Sequence, residues 1–155
     1  MTKILLLTSK SDLTSDFIVK RLKESGIDFY RFNTEELLFS IFTSLNITMD
    51  SFKLHDSNRT ETIDLKEFTA VYFRRPVIPQ IAIDTLSKGE NEFVKNEFVY
   101  TLEGIYKFLD DAYWISPVYS IREAENKLYQ LKVAKSLGFR IPESLITNDF
   151  VSAKT

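Results

Sequence analysis

Two adjacent arginines, Arg74 and Arg75, follow Ala70-Val71-Tyr72-Phe73 and precede Pro76. The Ala-Val-Tyr-Phe run reads as a strand, and a proline directly after the arginines stiffens the turn that presents them. Ligands of open α/β sheets gather beyond the carboxyl ends of strands. Guanidinium groups there suit a carboxylate or a phosphate, because each offers paired N–H donors to two oxygens. The same pair also fits two surface arginines matched to some of the 22 acidic residues. A second candidate pair, Asn126 and Lys127, lies on a helical stretch but off its apolar line, and it equally fits a solvated helix surface. Asp110-Asp111 reads as a turn rather than a metal or acid/base pair, and the lone His55 lies near a turn with no assigned role. No catalytic residue and no metal-ligand set emerges at a usable spacing.

These residues need elements to hold them. Lys3–Thr8 is a continuous apolar run, as expected of a strand buried on both faces of a parallel sheet. A polar loop follows, then a helix capped by Asp12 or Thr14, with Phe17, Ile18 and Leu22 on its inner face and Gly26 at its end. Ile27–Phe32 is the second strand, which completes a βαβ unit. The turn after the first strand lacks the glycines that let a backbone approach pyrophosphate, so this unit is read as architecture rather than as a dinucleotide site.

Thr34-Glu35-Glu36 opens a short helix or turn. Leu45, Ile47 and Met49 alternate with polar residues, and the parity shifts after Asp50-Ser51, which places a turn or bulge there. With Thr60–Leu65 this middle section reads as an antiparallel hairpin or meander. Pro79–Leu86 is irregular or a short helix, broken at Lys88-Gly89. Glu90–Leu109 is the longest helix, with Val94, Phe98, Leu102, Ile105 and Leu109 along one line and Phe93, Glu97, Tyr100 and Gly104 along another. Tyr100, Tyr106 and Phe108 are surplus aromatics suited to a subunit contact in a homodimer. Trp114-Ile115-Ser116 is the last strand of the domain.

Ser120 and Glu123 have the spacing of a capping box. Ala124, Leu128, Leu131 and Ala134 continue at helical spacing, Gly138 closes the helix, and Ser144–Thr147 reads as a short strand. Asn148-Asp149 has the look of another capped helix start.

Composition narrows the classes. The chain has 155 residues, 44% of them hydrophobic, with 13 Phe, 7 Tyr and 1 Trp, which suffices for a core without disulfides. There is no cysteine, so no thiol chemistry and no Cys-based metal site is available, and a reducing cytoplasm fits. Twenty basic residues against 22 acidic ones leave a net charge of −2, no field for nucleic acid or a membrane surface. The apolar run at residues 4–7 is too short for a signal peptide or a membrane span.

The run from Ser116-Pro117 through Asn126-Lys127-Leu128 to Leu145-Ile146-Thr147-Asn148 resembles the junction at which ATP-grasp ligases pass from their N-terminal domain to the nucleotide-binding part. The resemblance is strongest to the maturases of ribosomally made peptides, of microviridin and grasp-with-spasm type, and more distant to glutathione-synthetase-like ligases. The run Tyr72-Phe73-Arg74-Arg75-Pro76 is similar to the aromatic-Arg-Arg-Pro loop of those maturases, although Val77-Ile78 stands where the glutathione-type loop has adjacent prolines. The resemblance implies an α/β fold: a small, mainly parallel open sheet with helices on both faces and an antiparallel hairpin. It implies a pre-ATP-grasp domain over residues 1–117, followed at 118–155 by a linker helix and a truncated start of the ATP-grasp domain. Arg74 and Arg75 would bind the acceptor peptide, and Asn126 and Lys127 would sit near the junction. The parent ligase would use ATP and Mg²⁺ to make an acylphosphate, then an ω-ester or ω-amide in a precursor peptide. This chain alone, without the lysine strand and the acidic ligands that follow in such ligases, is expected to bind no cofactor tightly and to be inactive. The rival readings are a standalone interaction module acting as a dimer and a small-ligand sensor built on the two arginines.

Overall fold

The computed structural model describes residues 2–79 and 83–154. Its elements are β1 (Lys3–Thr8), α1 (Leu13–Glu24), β2 (Asp28–Asn33), β3 (Ile41–Asn46), β4 (Ser51–Asp56), β5 (Glu61–Asp64), β6 (Ala70–Phe73), α2 (Lys88–Phe108), β7 (Tyr113–Ile115), α3 (Val118–Glu125) and α4 (Lys127–Ser136). The expected irregular stretch Pro79–Leu86 runs through residues 80–82, which lie outside the described residues. By contact the chain divides into two units, residues 1–117 and 118–155.

The first unit is α/β. A four-stranded sheet has the order β2-β1-β6-β7, with all three pairings parallel. Its centre is the apolar run: Leu5, Leu6 and Leu7 are 0% exposed, as a strand covered on both faces requires. Each such leucine contributes about 1.5–3 kcal/mol by leaving water. From β1 the chain steps outward to β2, and from β6 it steps outward the other way to β7. Right-handed crossovers therefore put α1 and α2 on opposite faces. Between β2 and β6 the chain forms the antiparallel meander β3-β4-β5, with Leu54 and Ile63 paired and buried. The turn between β3 and β4 spans residues 47–50, and Asp50 carries a positive φ of 49°.

The helices depart from expectation in places. Asp12 caps α1 and Gly26 ends it at φ 64°, but Phe17 is 73% exposed, because the inner face of α1 is carried by the buried Ser15 and by Ile18 and Leu22. α2 starts at Lys88 rather than after Gly89. Ser87 and Glu90 form a full capping box, which outweighs the weak helix propensity of Gly89. Its line of Phe98, Leu102, Ile105 and Leu109 is buried. Tyr106 is buried too, edge-on to Phe73 and Trp114, and Phe108 stacks on Phe52 at 3.9 Å between ring centroids. Of the three aromatics expected at a subunit contact, only Tyr100 is left largely exposed.

The second unit holds α3 and α4. Ser120 lies inside α3, which begins at Val118, directly after a proline. The single helix expected from Ser120 to Leu137 is two helices, because Asn126 leaves the helical conformation and caps α4 by accepting the Tyr129 N–H. Gly138 closes α4 at φ 78°. Ser144–Thr147 forms no strand: these residues are exposed and have no pairing partner among the described residues.

Candidate functional site

An open parallel sheet has a natural ligand position where neighbouring strands send their connections in opposite directions. Here that position lies between the carboxyl ends of β1 and β6. The residues that leave those two ends are Ser9–Asp12 and Arg74–Pro79.

On the β1 side, the buried hydroxyls of Thr8 and Ser15 meet at 2.8 Å and tie the strand end to the first turn of α1. Asp12 accepts the Ser15 N–H at 2.7 Å through Oδ1. Burial pushes its carboxyl upward, but the Ser15 donors and the Arg74 charge outweigh that and hold it below the usual aspartate value.

On the β6 side, the Arg74 N–H donates to Leu7 O at 2.8 Å and extends the parallel ladder by one rung. Arg74 Nε stands 3.4 Å from Asp12 Oδ2, with the two side chains 35% and 7% exposed. The contact is an ion pair without hydrogen-bond alignment, since Arg74 Nε is buried and makes no hydrogen bond. Arg74 Nη2 also donates to Thr14 Oγ1 at 3.3 Å. Arg75 is exposed and sits at φ 45°, in the left-handed region, immediately before Pro76. The two arginines therefore differ in kind: one is drawn back onto the N-terminus of α1, and the other projects from a turned backbone.

Several polar residues around this rim were not singled out from sequence. Arg31 on β2 donates to Ser9 O at 2.8 Å and to Asn33 Oδ1 at 2.9 Å, and also pairs with Asp16. Lys10 pairs with Glu36 at 2.8 Å, and the hydrogen bond and charge of Glu36 raise its ammonium above the ordinary value. Thr34, fully buried at the end of β2, bonds the loop after Arg75 through its hydroxyl. Apart from the Arg31–Asn33 bond within β2, these contacts join residues fifteen or more positions apart, so no local spacing signals them.

Asn126 and Lys127 are placed by helix capping. Asn126 is the cap of α4, and Lys127 is its first residue, donating to Gln130 Oε1 at 3.2 Å.

The described residues do not fit a nucleotide–metal centre. No three His, Asp or Glu side chains among them stand close enough to hold an ion. At the N-terminus of α1, where a phosphate would dock, the Asp12 carboxylate already takes the Ser15 N–H. Among the described residues no helix is long and apolar enough to cross a membrane.

The first unit is thus an open parallel α/β sheet whose divide carries a polar loop with two arginines. The chain belongs to the MvdD pre-ATP-grasp domain family, whose model matches residues 3–122. It is similar in structure to the macrocyclase MdnB from Microcystis aeruginosa MRC, with 27% identity and a TM-score of 0.87 over 99% of this chain and 50% of that one. A RiPP-associated ATP-grasp ligase of Chryseobacterium gregarium, in complex with ADP and a leader and core peptide, shares 26% identity at a TM-score of 0.80, over 99% of this chain and 46% of its own. The macrocyclase MdnC, bound with precursor peptide MdnA, shares the fold at 22% identity and a TM-score of 0.86. The chain thus spans about half the length of these solved chains. No curated protein matches it.

Proposed function

We propose that this chain is the substrate-side domain of an ATP-dependent ligase that forms ω-ester or ω-amide bonds in a ribosomally made precursor peptide. In this reading residues 1–117 receive the acceptor peptide. Residues 118–155 are the linker helices and the start of the ATP-grasp part, with Asn126 and Lys127 at that junction. ATP and Mg²⁺ belong to the ligase as a whole, a cytoplasmic enzyme, and the residues described here take no part in holding them.

One observation carries the reading. At the divide of the parallel sheet, Arg74 is paired with Asp12 while Arg75 is exposed beside it on a turned backbone. In this reading Arg75 takes a peptide carboxylate in a two-toothed contact, and Arg74, paired with Asp12, keeps the loop in place. What the domain supplies is position: it holds the reacting side chain of the peptide where the rest of the ligase acts.

The test is kinetic, in a ligase carrying this domain. Arg75→Ala is expected to raise KM for the precursor peptide about tenfold or more while KM for ATP stays unchanged, the size of one lost charge-assisted contact. An unchanged peptide KM would remove Arg75 from the site.

A further inference from the structure

We propose that Thr34 is a positioning residue that sets the backbone of Arg75 for peptide binding; the inference rests on the reading of Arg75 just given. Thr34 is 0% exposed and stands directly after β2, two strands away from β6 in the sheet. Its hydroxyl accepts the Val77 N–H at 2.9 Å and donates to Val77 O at 2.7 Å. Thr8 O lies at 3.4 Å, a second acceptor for the same proton. One side chain thus satisfies both backbone groups of a residue 43 positions away, as a strand partner would.

The loop from β6 is therefore pinned at two points. Arg74 N–H is bonded to Leu7 O on β1, and Val77 is bonded to Thr34 beyond β2. The segment crosses the carboxyl end of β1 between these pins, and Arg75-Pro76 is the span between them. A residue before proline disfavours helical conformations, and a non-glycine residue at φ 45° is strained. Such a conformation persists only where its surroundings impose it. The two pins impose it, and Thr34 is the one made by a side chain. Removing its hydroxyl would let Arg75 relax to negative φ and swing its guanidinium away from the sheet divide.

The test uses the 155-residue chain, ¹⁵N-labelled, and the probe acetyl-Glu-Glu-Asp-Glu-amide titrated by NMR. Thr34→Val, close in shape but without the hydroxyl, is expected to weaken binding about tenfold and to speed exchange of the Val77 amide by a similar factor. Thr34→Ser restores the hydroxyl and is expected to return both to within about twofold of wild type. On an Arg75→Ala background, Thr34→Val should weaken binding no further, because both act through one group. Should Thr34→Val fail to fold, Val77→Pro removes the same N–H from the exposed partner and is expected to weaken binding likewise. If Arg75→Ala weakens binding but neither Thr34→Val nor Val77→Pro does, the positioning role is overturned and the Arg75 reading survives. If Arg75→Ala leaves binding unchanged, or wild type does not bind the probe, the Arg75 reading fails and this inference with it.

Discussion

Asp12, the cap of α1, and Arg74, the residue after β6, face each other across 3.4 Å. The aspartate has two tasks, one per oxygen: it caps a helix and it neutralises a half-buried guanidinium. Substitution separates the tasks. Asp12→Asn keeps the cap and loses the charge. Asp12→Ala loses both, and should cost about 1 kcal/mol more than Asn for the missing cap alone. Urea midpoints of the two variants test this, and equal midpoints would mean that the cap contributes nothing.

The same carboxyl makes stability depend on pH. It titrates below the ordinary 3.8 because the Ser15 donors and Arg74 overcome the upward push of burial. The folded state therefore gives up this proton more readily than the unfolded state. The stabilisation is fully present above the unfolded value and is lost as pH falls through the folded one. Melting temperatures of wild type and Asp12→Asn, from about pH 6 to about pH 2, should converge at the acid end. A gap that stays constant would refute the linkage.

Tyr30 predicts the opposite limb. Burial pushes its phenol well above 10.0, and its hydrogen bond to Asp56, 2.9 Å long and buried, pushes it further, as does the Asp56 charge. A raised folded value means stability that is whole below pH about 10 and lost as pH climbs past it. Tyr30→Phe removes this titration, so wild type should begin to lose its advantage over the variant as pH rises above about 10. Absorbance of the ionised phenol would show independently whether one tyrosine keeps its proton in that range.

Much of the parallel sheet could be read from residues. Leu5, Leu6 and Leu7 announce a doubly covered strand because only such a strand tolerates so little polarity. Arg74 and Arg75 were legible as candidates because a strand, two guanidiniums and a proline each speak locally. That Arg74 is paired while Arg75 is exposed was not legible, since it depends on Asp12, which is 62 positions away in sequence and reached only through sheet pairing. Thr34 was hidden for the same reason: a threonine opening a turn looks like a cap until Val77 arrives beside it. The break at Asn126 was missed because helical spacing of apolar residues runs straight through it, while a single side-chain cap ended one helix and began another. Phe17 misled in the opposite sense, as an apolar residue at helical spacing that the structure leaves outside.

The meander between β2 and β6 also orders events in time. Lys3 and Thr69 are neighbours in space but 66 positions apart, and β1 has no partner on its β6 side until that stretch is made and folded back. Closing so long a loop is entropically unfavourable, whereas β3, β4 and β5 join neighbours in sequence and shorten the loop once formed. The small sheet is therefore expected to be in place before the large one closes. Ile63→Val should then chiefly slow refolding, and Val71→Ala chiefly speed unfolding, in stopped-flow measurements. The reverse pattern would mean that β6 docks first. In the expected order the Arg74–Val77 span, which hangs from β6, is among the last pieces to take shape, so a partly folded chain would lack the loop proposed to receive the peptide.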